Sequence, residues 1–291
     1  MKIINNISNL LYRIIKPKGA SKLACSPLGR IVSKILSLNK KEMDIYQTSV
    51  QGIKLELSRD EASTSGIMHL GLLNPFETRW LEGHLNRGDV FLDIGAYVDG
   101  WYTLLASKLV GKKGKIYSFE PHPDFCKRLK RNIKINKLNN ITVAQLAMSN
   151  KSGFSFLSDN RHLSSLAIDK KESHTSTIKV KTMTVDAYVK RNNIEKIDVI
   201  KLDVEGFETE VLKGAKKTLK SMAPALLVEI DDRLLRNASS SRQELIKLLK
   251  NLGYDSYIFT MKGLKPGHKD SQTMNVVFSK NPVTLNTKNI T

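Results

Sequence analysis

Cysteine is almost absent: two residues in a chain of 291, Cys25 and Cys126, stand in separate segments. So low a count excludes a disulfide scaffold and a cysteine-built zinc site, and it fits a reducing compartment, here read as cytoplasmic. Long apolar runs are lacking too, so no segment is expected to span a bilayer. Nor do the first residues read as a cleaved leader, because Asn5, Asn6, Ser8 and Asn9 interrupt the apolar positions and no small-residue cleavage site follows. Acids are missing before Glu42, while Lys2, Arg13, Lys16, Lys18, Lys22, Arg30, Lys34, Lys40 and Lys41 all precede it. The whole chain carries +19, from 47 Lys and Arg against 28 Asp and Glu. Charge of that size draws phosphate, whether of nucleic acid or of anionic lipid. The lysines are scattered along the chain rather than gathered into one arm, which favours general basicity over a nucleic-acid footprint.

What is present divides the chain into three. In the first part Ile3, Ile7, Leu10, Leu11 and Ile14 recur at helical spacing, and Leu28, Ile31, Val32, Ile35 and Leu36 repeat the pattern after Pro17 and Gly19. Two short basic amphipathic helices are expected over 1–41, lying on the inner face of an anionic membrane or docked on the protein body. This extension, 1–48, precedes one domain over 49–280 and a polar, flexible tail over 281–291. Inside the domain "VQGIKLEL" alternates as a strand or hairpin, and "NPFETRWLEGHL" carries Phe76, Trp80, Leu81 and Leu85 on one helical face. From there strand and helix alternate, which predicts an α/β fold: a mostly parallel seven-stranded sheet, helices on both faces, and an antiparallel terminal strand, "MNVVFSK". Residues 150–176 read as a polar loop, and Phe207, Val211, Ala215 and Leu219 as one helix.

The first strand-to-helix turn reads "FLDIGAYVDGW". In a doubly wound sheet this turn lies beyond the carboxyl ends of the strands, where ligands bind. Asp93 ends the strand, Gly95 lets backbone approach a ligand, and the helix starting near Trp101 offers N–H groups to an anion. Glu120 ends the next strand, where a carboxylate can accept both hydroxyls of a ribose. The close glycine spacing that passes a pyrophosphate is missing, since Tyr97, Val98 and Asp99 fill it and Asp99 repels phosphate. A nucleoside ligand without phosphate suits such a loop, and S-adenosylmethionine is one.

The segments "FLDIGA", "FEPHP" followed by "LKRNIKIN", "IDVIKLDVEGFETEVLKGA", "LLVEI" and the late "NVVF" together resemble the FkbM family of S-adenosylmethionine-dependent methyltransferases, over about residues 75 to 279. The resemblance implies a class I Rossmann-like methyltransferase fold and methyl transfer to a hydroxyl, often on a sugar or natural product. It places Asp93, Gly95 and Ala96 in the cofactor loop, Tyr97, Gly100 and Pro121 beside it, Glu120 as the ribose acid, and Asp203, Glu205 and Glu229 at the ends of the fourth and fifth strands. The chain departs from the family pattern in one place. Members typically read Asp-Ile-Gly-Ala-Asn-Ile-Gly, whereas here the second glycine, Gly100, comes one place late. Either Gly100 takes the turn in a longer loop, or Asp99 occupies the glycine's place and narrows the site.

Methyl transfer to a hydroxyl needs an aligned acceptor and a base for its proton. Asp203, Glu205 and Glu229 are the candidates, and three acids could also hold Mg²⁺ against a sugar diol. Each has a plainer reading: Asp203 only holding cofactor, Glu205 capping the next helix, Glu229 paired with Arg233. His162 is a minor candidate base, and Cys126 and the face formed by Lys127, Arg128, Lys130, Arg131 and Lys134 read as packing and solvated surface. The leading expectation is an O-methyltransferase acting on a sugar, a glycolipid or a related metabolite. A nucleic-acid (RNA) methyltransferase is the alternative, disfavoured because "DVEG" lacks the Pro-Pro-aromatic turn that grips a flipped base. A non-catalytic Rossmann-like binding protein is the third.

Overall fold

The computed structural model describes residues 45–50, 52–58, 75–158, 177–260, 263–267 and 274–283; the expected helices of 1–41 and His162 lie outside these. The centre is set by three short apolar runs, β3 (Val90–Ile94), β9 (Val199–Leu202) and β10 (Ala225–Ile230). Each is buried nearly throughout, the mark of a parallel strand covered on both faces. β3 pairs in parallel with β9 on one side and with β4 (Lys115–Phe119) on the other, and β4 with β5 (Ile141–Ala144). β9 pairs in parallel with β10, and β13 (Met274–Ser279) enters antiparallel between β10 and β11 (Asp255–Thr260). With β12 (Gly263–Pro266), the sheet order is β12-β11-β13-β10-β9-β3-β4-β5.

Seven of these strands are those expected, with the reversed strand where expected. The eighth, β12 (Gly263–Pro266), pairs antiparallel with the edge of β11. Four residues containing Gly263 and Pro266 carry no alternating apolar signal, so sequence pattern alone passes over it.

Helices α1 (Pro75–His84) and α2 (Trp101–Val110) cover one face. There Trp80, Leu81, Phe91, Trp101, Leu104 and Val277 form a buried cluster. α3 (Pro123–Ile135) follows β4 and packs on β5, while α4 (Val185–Arg191) lies on the other face, where Tyr188 packs with Phe119, Ile200, Leu226 and Leu245. The expected helix over 207–219 is two pieces, α5 (Glu208–Lys213) and α6 (Lys216–Ser221). The break has a visible cause: the Asp186 carboxylate accepts from the amides of Lys217 (3.0 Å) and Thr218 (2.8 Å), and the Asp186 amide donates to the Gly214 carbonyl (3.1 Å). A side chain from another helix thus starts α6 afresh. α7 (Asp232–Asn237), capped by Asp231, and α8 (Arg242–Asn251), capped by Ser241, complete this face.

Three segments differ from the sequence reading. The hairpin is β1 (Ile45–Val50) and β2 (Ile53–Ser58), opening ahead of position 49 and turning through Gly52. The segment read as a polar loop from 150 contains β7 (Gly153–Ser158), which joins β6 (Ala147–Met148) and β8 (Thr177–Met183) in a separate three-stranded sheet. Serines and a glycine disguise β7, which buries only Leu157 fully. The tail begins docked, since Val283 is buried in the first-named cluster.

Candidate active site

The chemistry gathers where β3, β4, β9 and β10 end. On β3, Asp93 is fully buried, and its Oδ2 accepts from the hydroxyl of Thr103 on α2 at 2.6 Å. Thr103 and the Ser118 hydroxyl of β4 share a further hydrogen bond of 2.7 Å. Burial raises the Asp93 carboxyl above its ordinary range, while Lys201, 3.8 Å from Oδ1, pulls it back down.

Beyond Asp93 the loop turns sharply. The amides of Gly95 and Ala96 both donate to the carbonyl of Phe119, at 3.0 and 3.1 Å, which ties the loop to the end of β4. Gly95 has φ 82, and a Cβ there would lie 1.7 Å from the backbone oxygen of Asp203. The crowding that demands glycine therefore comes from the neighbouring strand end and not from a ligand alone. Tyr97 follows at φ 57, its ring edge-on to Phe125 at 5.1 Å. Of the two arrangements open in the sequence, the longer loop is the one observed: Gly100 takes the turn at φ 63, and Asp99 folds back so that its Oδ1 accepts the Trp101 amide at 2.8 Å. The first N–H of α2, one of those expected to serve an anionic ligand, is thus taken by the protein's own carboxylate.

Glu120 lies beside this loop, 5 % exposed. Its Oε2 accepts from the Tyr97 amide at 3.0 Å and its Oε1 from the His122 amide at 2.9 Å. Burial pushes its carboxyl up to about 7, against those two hydrogen bonds. Pro121 is half-buried next to it, and His122 caps the following helix, its Nδ1 accepting from the Asp124 amide at 3.2 Å.

The acids of the fourth and fifth strands form a second group. Glu229 of β10 is hydrogen-bonded to Asp203; the Asp203 charge and burial both raise the Glu229 carboxyl well above its usual range. The pairing of Glu229 with Arg233 is replaced by this acid pair. Glu205 adopts φ 55, and burial together with Asp203 and Glu208 pushes it up to about 7. Capping of the turn falls instead to Glu208, whose Oε1 accepts from the amides of Val204 (2.9 Å) and Gly206 (3.2 Å). Glu208 is 2 % exposed and rises to about 7 through burial.

Backbone strain marks the same two loops. Among the described residues, Lys137, Asn193, Ala223 and Ser239 take positive φ immediately after a helix C-cap, where that conformation is routine. Tyr97 and Glu205, the remaining non-glycine residues with positive φ, sit instead in the loops after β3 and β9, and strain of this kind collects at functional sites.

Three residues of the candidate site escaped the sequence reading. Lys201 is buried between Asp93 and Asp203; Glu208 holds the turn after β9; and Asn275, cross-strand neighbour of Glu229, donates to Oε1 of Glu77 on α1 at 3.0 Å. Lys201 did leave a signal, a charge in the middle of the apolar run "VIKL".

The residues fit a phosphate-free nucleoside. Each Glu120 oxygen has accepted one amide and keeps a second lone pair for a ribose hydroxyl, while Asp99 holds the helix start where phosphate would otherwise dock. Asp93 and Asp203 flank the buried Lys201, and Glu120, Glu205 and Glu229 lie near enough for their charges to act on it or its charge on them. Mg²⁺ is not matched in the same way: among the described residues no three His, Cys, Asp or Glu side chains stand together as a metal-holding group.

The sheet, its reversed strand and this loop define a class I Rossmann-like methyltransferase fold. The family model of the methyltransferase FkbM domain matches residues 93–256, and the chain belongs to that family. It is 31 % identical over 147 residues to the hexuronic acid methyltransferase AglP of Haloferax volcanii, a match covering 50 % of this chain and 57 % of that protein's length. Among solved structures it is similar to a methyltransferase FkbM from Methylobacillus flagellatus (12 % identity, TM-score 0.44, covering 86 % of this chain and 58 % of that one). A further similar structure is a SAM-dependent O-methyltransferase from Thermotoga maritima (14 % identity, TM-score 0.43, covering 81 % and 77 %).

Proposed function

We propose that this protein is an S-adenosylmethionine-dependent O-methyltransferase whose acceptor is a hydroxyl of a sugar or glycolipid. The observation that carries the cofactor reading is Glu120, buried and oriented by two backbone amides beside a loop whose helix start is already filled by Asp99. Family membership supports methyl transfer, and the similarity to a hexuronic acid methyltransferase supports a sugar.

Glu120 accepts the ribose hydroxyls, and the loop from Gly95 to Gly100 shapes the side of the cleft next to them. When bound, S-adenosylmethionine supplies a methyl group already activated on a sulfonium, so the chain need only align an acceptor and take up a proton. Glu229, raised well above the usual carboxylate range by the Asp203 charge and by burial, favours its protonated form beside Asp203. Glu205, with its carboxyl near 7, accepts the proton of the acceptor hydroxyl, since a base is most effective when its pKa lies near the working pH. Residues 1–41, basic in sequence, would bring the enzyme to anionic lipid, where lipid-linked sugars are built.

Labelled methyl from S-adenosylmethionine should pass to uronic-acid-containing oligosaccharides in the presence of this protein, and not with Glu205→Gln. Transfer to RNA but to no glycan would replace the acceptor half of the proposal; transfer to nothing, with no cofactor bound, would end it.

A further inference from the structure

Lys201 is 5 % exposed, in the interior of the sheet. An ammonium is costly to bury unless its partners are well placed. Its partners come from two different parts of the fold. The Nζ donates to the carbonyl of Gly95 at 2.8 Å, inside the loop after β3. It lies 3.2 Å from Oδ2 of Asp203 at the end of β9 and 3.8 Å from Oδ1 of Asp93 at the end of β3. The Tyr102 ring of α2 closes the pocket, its centroid 5.4 Å from Nζ. The same two loops also meet by backbone, for Gly95 can lie against the Asp203 carbonyl only because it lacks a Cβ.

We propose that Lys201 is a positioning residue: its ammonium clamps the loop after β3 to the end of β9, holding Glu120's loop partner Tyr97 and the Asp203–Glu229 pair in one fixed relation. The assignment rests on the functional reading above only in what the two halves do. One half would bind cofactor and the other would face the acceptor. The clamp itself is a property of the fold. Two interactions are separable in it. The hydrogen bond to Gly95 sets loop shape, whereas the positive charge between Asp93 and Asp203 offsets two carboxylates that would otherwise repel across the strand pair.

Three measurements on full-length variants decide it. Lys201→Met removes both interactions; amide hydrogen exchange over 95–100 should accelerate by at least about tenfold, while exchange in β11 and β13 stays as in the wild type. Lys201→Gln keeps a donor for Gly95 without the charge, so KM for S-adenosylmethionine should stay within about threefold while kcat falls by more than about tenfold. In Lys201→Met, KM should rise as well. A merely structural lysine would lower the unfolding temperature in both variants without splitting KM from kcat. Unchanged exchange over 95–100 in a folded Lys201→Met protein overturns the clamp. If Lys201→Met does not fold, Lys201→Gln decides, and equal losses in KM and kcat would count against it. Should the wild type bind no S-adenosylmethionine, the proposed function fails while the exchange data still settle the clamp.

Discussion

The backbone amide of Tyr97 donates to Oε2 of Glu120 across 3.0 Å, joining the loop after β3 to the end of β4 through one carboxylate. Glu120→Gln replaces one acceptor oxygen by an amide that must face a backbone N–H or a ribose hydroxyl as a donor. Removing a charged acceptor of this kind costs on the order of 2 kcal/mol, so KM for S-adenosylmethionine should rise by roughly thirtyfold with the fold intact. Steady-state kinetics beside circular dichroism would show it; an unchanged KM would remove Glu120 from the cofactor site.

Glu205 predicts the pH dependence of turnover. Its carboxyl stands near 7, so kcat should climb with pH through that value as the base loses its proton. Glu205→Gln should lose that limb and about a hundredfold or more in rate, within the usual range for a general base. Retention of the limb in the variant would assign it to another group.

Glu208 gives a stability prediction with a definite sign. Burial raises its carboxyl from 4.5 to about 7 in the folded protein, so the neutral acid is the favoured form there. The stabilisation it contributes is complete below pH 4.5 and is lost as pH rises through 7. Glu208→Gln is neutral throughout and keeps an acceptor for the Val204 and Gly206 amides. Wild type should therefore lose on the order of 3 kcal/mol relative to this variant between pH 4.5 and 8, measurable by urea unfolding at several pH values. A constant difference would contradict the burial argument.

The two loop glycines should respond unequally. An alanine Cβ at position 95 would meet the Asp203 backbone oxygen at 1.7 Å, whereas at position 100 it would meet the Leu129 Cδ1 at 2.1 Å, the movable end of a side chain. Both also sit at positive φ. Gly95→Ala should cost about 3 kcal/mol or more and Gly100→Ala about 1 to 2 kcal/mol. Thermal unfolding of both variants tests the order; equal losses would mean that the end of β9 can yield.

Much of this was legible from the sequence because period and position carry it. Strand-helix alternation, the buried runs of β3, β9 and β10, and acids at strand ends are local signals that the fold then places side by side. The loop after β3 could be narrowed to two arrangements but not decided, since the choice depends on Asp99 turning back onto Trp101. Other features depend on partners distant in sequence. α5 and α6 part because Asp186 reaches across from another helix, and Lys201 acquires its role only when Gly95 and Asp93 are brought beside β9. β12 and β7 were missed for a simpler reason: short edge strands containing Gly, Pro or Ser show little apolar alternation.

In the proposed function, the loop after β3 and Glu120 together hold a phosphate-free adenosine cofactor. Titration calorimetry of S-adenosylmethionine, and separately of NAD, into the wild type and Glu120→Ala tests it most directly. Saturable binding of S-adenosylmethionine that the substitution abolishes is expected, with no heat from NAD, because Asp99 holds the first N–H of the helix that a pyrophosphate would use. A folded wild type that ignores S-adenosylmethionine, or takes NAD equally well, would contradict it.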